Sequence, residues 1–321
     1  MIFKLISTSY IGEITFISLL LAFAATCIIT GLCKNILPRD HGREFAVNGQ
    51  KSEGKPRGAG IIFVLVFAIT SILFVPYSNE ILIYMILVIA AMLSGFLDDR
   101  SNSPWSDYKK AIIDLVIAIA CAITFINYNG THIQLFYSDS ISFTIPTVPF
   151  AILAVVLIWA SINVTNCSDG VDGLCGTLSI ISLLTIYGIC RIKGVDTSIS
   201  HAILILSVCL LGYLWFNASP SRLLMGDAGS RAIGFFLALA SLRSGSPFLF
   251  IPAALVLIVD GGMGLVKVFL LRFFKIKIFA NTRTPFHDHV RKNKGWSDPQ
   301  VVFRFAIIQI VISVALIFSN F

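Results

Sequence analysis

Residues 80–99 read EILIYMILVIAAMLSGFLDD. From Ile81 to Leu97 the stretch carries no charge, and it stops at two adjacent carboxylates, Asp98 and Asp99. That is close to the length at which a helix crosses the hydrocarbon core of a bilayer. A single unbroken run in lipid must satisfy its backbone N–H and C=O groups internally, which requires a helix.

The pattern recurs outward from this stretch. Ten apolar runs are visible, at about 14–33, 58–76, 80–97, 110–127, 147–165, 173–190, 200–216, 230–244, 247–270 and 301–319. The 321 residues are 56% hydrophobic and 13% charged, with a mean hydropathy of +0.87. A soluble domain has roughly a quarter of its residues charged, so that class is excluded. The expectation is an all-α integral membrane protein with about ten transmembrane helices, a single domain over 1–321. Alternation around Ile133, Leu135, Ile141, Phe143 and Ile145 adds a small β-hairpin on the external side. The first apolar run, long enough to span and lacking a small-residue cleavage site, reads as a retained helix. Seven scattered cysteines without a CxxC pair indicate neither disulfides nor zinc.

Ten spans put both termini on one side, and charge says which. The loops 34–57, 98–109, 166–172, 217–229 and 271–300, with their borders, hold nineteen of the twenty-four Lys and Arg residues. By the positive-inside rule these loops are cytoplasmic and both termini lie outside. The net charge of +7 follows mostly from this topology.

Every acidic motif then falls on the cytoplasmic face. Asp98 and Asp99 end the third span. Asn166, Asp169 and Asp172 lie in a Gly-punctuated turn, more Asn and Asp than one helix cap needs. Asp227 sits between Gly226 and Gly229 before the eighth span. His287 and His289 flank Asp288 in a loop with Arg283, Arg291, Lys292 and Lys294, and no further His or Cys nearby to complete a zinc site. Within the ninth span, Asp260 and Lys267 share a face, either as a buried ion pair or with the lysine reaching substrate. Ionisable groups near hydrocarbon are costly and read as functional. Carboxylates beside basic loops suit a hard cation and a phosphorylated substrate. An ion-coupled transporter would carry its charges nearer mid-bilayer and in paired halves, and no repeat is present.

These motifs resemble the polyprenyl-phosphate N-acetylhexosamine-1-phosphate transferase superfamily, glycosyltransferase family 4, and within it the phospho-N-acetylmuramoyl-pentapeptide transferases. The resemblance rests on GFLDD at 95–99, NCSDGVDGL at 166–174, FNASP at 216–220, MGDAGS at 225–230, Thr284–His289 and the stretch from Gly295 to Phe305. Departures are also present. The usual three-His motif is His287-Asp288-His289, the aromatic before MGD is Leu224, and TPTMGG appears as KPRGAG at 55–60. Asp260 and Lys267 stand where Glu and Gln are usual.

The resemblance implies transfer of phospho-MurNAc-pentapeptide from its UDP carrier to undecaprenyl phosphate, giving lipid I and UMP in peptidoglycan synthesis. Both a one-step and a covalent route stay open, and UDP-GlcNAc is the alternative donor. The expected catalytic set is Asp98 as proton acceptor, Asp99 in support and Asp227 as ligand of Mg²⁺, the expected cofactor. Substrate binding is expected from Asn166, Asp169, Asp172, His287, His289, Lys109, Lys267 and a loop lysine, Lys51 or Lys55. The expected partners are the two substrates and the bilayer of a bacterial plasma membrane, with a homodimer as the protein assembly and no nucleic acid.

Overall fold

The computed structural model describes residues 2–4, 8–40, 42, 52–101, 103, 105–135, 142–195 and 197–319. Helices dominate: α1 (Ile11–Cys33), α2 (Gly60–Phe74), α3 (Asn79–Asp99), α4 (Asp107–Asn129), α5 (Thr147–Cys167) and α6 (Leu174–Ile192) come first. They are followed by α7 (Thr197–Asn217), α8 (Gly226–Arg243), α9 (Phe250–Ala253), α10 (Leu255–Phe269), α11 (Phe286–Lys294) and α12 (Asp298–Phe318). Hydroxyl caps start several of them. Ser78 accepts from the Ile81 amide, Ser106 from Lys109, and Ser297 forms a reciprocal capping box with Gln300.

Each apolar run of the sequence coincides with helix, and among the described residues seven or eight of the ten are long and apolar enough to span. Seven helices among the described residues are long and apolar enough to span alone: α1, α3, α4, α5, α6, α7 and α12. The run at 247–270 is broken, its two parts meeting at 92°. Counting that pair as one span gives eight. Helix α2 has 15 residues, roughly 22 Å of rise against a core of roughly 30 Å. Helix α8 carries Asp227, Arg231 and Arg243, and every residue from Gly226 to Leu242 is buried. Hydropathy along a sequence registers apolar composition but not whether the neighbour is lipid or protein. Here α8 is walled in, most extensively by α3 and α5.

The break at Ala254 frees backbone groups that lipid could not satisfy, and Gln309 of α12 takes them up. Its Oε1 accepts from the Val256 amide at 2.9 Å, and its Nε2 donates to the carbonyls of Pro252 and Ala253 at 3.1 Å each. Irregular backbone at such depth is tolerated only with this kind of protein partner.

The expected hairpin forms from β1 (His132–Gln134) and β2 (Ser142–Thr144), antiparallel with Ile133 opposite Phe143. At the same end of the bundle Glu80 joins three helices: it accepts from Tyr84 at 2.8 Å and Asn129 at 2.6 Å, and pairs with Arg243 at 3.5 Å. Successive long helices alternate in direction. The acidic motifs therefore meet at the opposite end, where α3, α5 and α7 finish and α4, α6 and α8 begin.

Candidate active site

Helices α3 and α8 touch at Gly95, where an added methyl group would collide with the Asp227 backbone. That close approach brings the carboxylates of two distant motifs together. Asp99 accepts from the amides of Asp227 at 3.1 Å and Ala228 at 3.0 Å, so its charge caps the N-terminus of α8. Gly226, at φ +67°, turns the chain there, and a side chain on it would strike the Asp99 carboxylate. Asp98 accepts from the Trp105 amide at 2.7 Å and pairs through its other oxygen with Lys110. Lys110 Nζ also reaches Asp227 Oδ2 at 3.3 Å, so one ammonium joins Asp98 to Asp227.

A second cation completes the cluster. Arg57 donates from Nε to Asp99 at 2.8 Å, from Nη1 to Asp40 at 3.1 Å and from Nη2 to Asp227 Oδ1 at 3.4 Å. Its segment is fastened to the loop before α8 by three backbone bonds: Leu224 N to Pro56 O, Ala59 N to Leu224 O and Gly60 N to Met225 O. Burial would lower the Arg57 pKa, but the charges of Asp99, Asp227 and Asp40 outweigh it and raise it.

Beside this cluster opens a cleft of about 500 Å³. Asp169 and Asp172 line it with Lys55, Arg57, Ser221, His287 and Arg291. Asp172 accepts from the Ser221 amide at 2.9 Å and faces Lys55 at 3.7 Å, while Lys55 donates to the Ser221 hydroxyl at 2.9 Å. Asn217 locks the two loops, accepting from Gly173 N at 2.9 Å and donating to Leu223 O at 2.8 Å. Asn166 donates to Ser230 of α8 at 2.9 Å.

His287 reaches the cleft because Asp260 holds it twice. The carboxylate accepts from its backbone amide at 2.7 Å and faces its Nδ1 at 2.9 Å. This leaves Nε2 beside Gly170. Burial would lower the His287 pKa, yet the charge and hydrogen bond of Asp260, with Asp288 behind, raise it above the ordinary 6.5. Asp288, in place of the middle histidine, pairs with Arg291 at 3.2 Å, and Arg291 pairs with Asp298 at 2.8 Å.

The fold thus brings together Asp98, Asp99, Asp227, Asn166, Asp169, Asp172, Lys55 and His287. It does not bring in three others. Lys109 lies over the Trp105 ring, 3.3 Å from its centroid, and its neighbour Lys110 faces the carboxylates. His289 stacks on Phe286 and accepts from the Arg283 amide at 3.3 Å. Lys267 makes no pair with Asp260; it donates to the Thr282 carbonyl at 2.9 Å and lines a separate basic hollow with Arg283 and Lys292. Lys51 lies outside the described residues. Arg57, Lys110 and Asp40 belong to the cluster but not to the expected set.

Among the described residues no three His, Cys, Asp or Glu side chains converge as a metal centre. Mg²⁺ asks for less: one or two carboxylates, with phosphate and water completing its shell. Asp227 offers one such carboxylate, with each oxygen held by a positive side chain that a metal ion would displace. Four carboxylates, those of Asp40, Asp98, Asp99 and Asp227, share two cations, which leaves a surplus of two negative charges.

Residues 81–245, just over half of the chain, match the family described as glycosyl transferase family 4. The chain is 40% identical over 301 residues to the phospho-N-acetylmuramoyl-pentapeptide-transferase of Treponema pallidum (strain Nichols), covering 88% of this chain and 82% of that one. Proteins of the same name from Staphylococcus aureus (strain JH9) and Clostridium botulinum (strain Eklund 17B / Type B) are 30% identical over 315 residues and 29% over 311. Those matches cover 92% of this chain in each case, and 96% and 94% of the relatives.

Proposed function

Because the chain belongs to glycosyl transferase family 4, among its phospho-N-acetylmuramoyl-pentapeptide transferases, we propose that it moves phospho-MurNAc-pentapeptide from the UDP-linked donor to undecaprenyl phosphate. The products are lipid I and UMP. The observation that carries this reading is the shared ammonium of Lys110. It ties Asp98 and Asp227, from two separate motifs, beside a cleft whose lining includes Lys55, Arg57, His287 and Arg291.

An oxygen of the lipid phosphate attacks the sugar-linked phosphorus, and the bond from that phosphorus to the UMP oxygen breaks. Positioning and charge neutralisation dominate such a step. Asp98 accepts the proton when the acceptor phosphate arrives protonated. Asp99 holds the Asp227 turn through the first amides of α8. Asp227 is the residue that would hold Mg²⁺, which when bound supplies positive charge to the diphosphate. Lys55, Asp169, Asp172 and His287 surround the nucleotide end. An apolar groove of about 340 Å³, lined by α5, α9 and α10, offers a surface for a polyprenyl chain.

The test is an exchange assay with purified protein, undecaprenyl phosphate and Mg²⁺. UDP-MurNAc-pentapeptide is expected to yield UMP and a lipid-linked product, and UDP-GlcNAc is expected to yield neither. Product from UDP-GlcNAc alone would shift the assignment to the GlcNAc-1-phosphate branch of the family.

A further inference from the structure

Arg57 stands at a position where the family pattern TPTMGG has no cation, and it is the most heavily paired basic group of the site. Its three ion pairs are unequal. The bonds to Asp99 and Asp40 are 2.8 and 3.1 Å, while that to Asp227 is 3.4 Å. The first two partners hold the Nε and Nη1 edges of the guanidinium, leaving Nη2 on the longest bond. Arg57 also lines the cleft, with about a fifth of its side chain open to it. A planar guanidinium with one edge anchored and another available is suited to phosphate oxygens.

The cluster's surplus of two negative charges matches one divalent cation. Such a cation at Asp227 repels Nη2, the most weakly held of the three contacts, and leaves the other two in place. We propose that Arg57 is a phosphate-binding residue of this chain, whose Nη2 exchanges Asp227 for the donor's diphosphate when a divalent cation takes that carboxylate. The proposal rests on the transferase reading above. It adds a residue and a coupling: metal and donor each promote binding of the other through one side chain, as linkage requires.

The test uses the full chain in detergent, with Mn²⁺ as the spectroscopically visible cation. Free Mn²⁺ is measured by electron paramagnetic resonance, and binding of UDP-MurNAc-pentapeptide by calorimetry with and without Mn²⁺. In Arg57→Thr a competing cation is gone, so Mn²⁺ should bind roughly 10- to 10³-fold tighter, the range for one charge interaction between bulk water and a protein surface. The same variant should lose most of the metal-dependent gain in donor affinity. Arg57→Lys keeps the charge but not the fork; its Mn²⁺ affinity should stay near wild type while the gain still falls. Should Arg57→Thr fail to fold, Arg57→Lys carries the test. Unchanged Mn²⁺ affinity in folded Arg57→Thr, or a full donor gain in Arg57→Lys, overturns the proposal. A wild type that forms no lipid-linked product overturns the functional reading itself, a separate result.

Discussion

Asp98 and Asp99 leave α3 side by side, yet they meet different partners. Asp99 spends both oxygens on the first amides of α8 and on Arg57, whereas Asp98 faces Lys110 and through it Asp227. Asp98→Asn should therefore lower kcat by about 10²–10⁴ and leave the KM for the UDP donor nearly unchanged. A raised KM with kcat intact would make Asp98 a binding residue. Asp227→Asn should cost about 10²–10³ in turnover, with the melting temperature in detergent retained. Near-normal turnover with the same Mg²⁺ requirement would remove Asp227 from the site's chemistry. His287 gives a pH signature. Asp260 and Asp288 raise its pKa against the opposing charge of Arg291. A raised folded pKa means the stabilisation is complete below about pH 6.5 and is lost as pH climbs through the raised value. Melting temperatures from pH 5.5 to 9 should show wild type losing its advantage over His287→Gln as pH rises. An advantage that grows with pH would mean the fold prefers the neutral ring. Asp98, Asp99 and Asp227 are legible in the sequence because acids bordering apolar spans are costly and stand out, whereas Asp40 lies inside a charged loop and does not. Arg57 and Lys110 are hidden by the same rule, since a cation in a basic cytoplasmic loop registers only as topology. Adjacent lysines at 109 and 110 also differ by about 100° around a helix, an orientation that spacing alone does not settle.

Helices α10 and α8 meet polar groups inside the bundle in opposite ways. At the break in front of α10, Gln309 satisfies three backbone groups that have no alternative partner in lipid. Gln309→Leu should destabilise the protein by about 2–4 kcal/mol, since each orphaned buried group costs about 1–3. Denaturation in detergent measures it, and a loss below 1 kcal/mol would mean water replaces the side chain. Arg231 of α8 instead faces Asp114 of α4 and the Lys110 carbonyl, while its Nε and Nη1 have no hydrogen-bond partner among the described residues. Arg231→Ala alone should cost about 3–5 kcal/mol by stranding a buried carboxylate. Replacing Arg231 and Asp114 together by leucine should be close to neutral, because neither charge is then left behind. A double variant as unstable as the single would show that the pair itself is needed. Element positions are legible from apolar runs, but the right-angle break at Ala254 is not. Composition on both sides of it is equally greasy, and what makes it possible is a glutamine more than fifty residues away.

For the whole molecule, alternating helices gather the acidic motifs at one end, and the hairpin of β1 and β2 lies at the other. With the motifs in the cytoplasm, a single cysteine at Asn293 on a Cys-free background should be labelled only from inside, and one at Ser142 only from outside. Labelling of both from one side would overturn this orientation. Helix α8 sits at the centre of that arrangement with no residue from Gly226 to Leu242 open to lipid. A newly made α8 enters a bilayer poorly on its own, because an arginine such as Arg231 costs up to about 2.5–3.5 kcal/mol in a spanning helix. The helices that surround it most, α2, α3 and α5, all precede it in the chain, so the slot that receives it is translated first. Its insertion then depends on partners already made, and a circular permutant that began with α8 should reach the folded state in lower yield than the natural order.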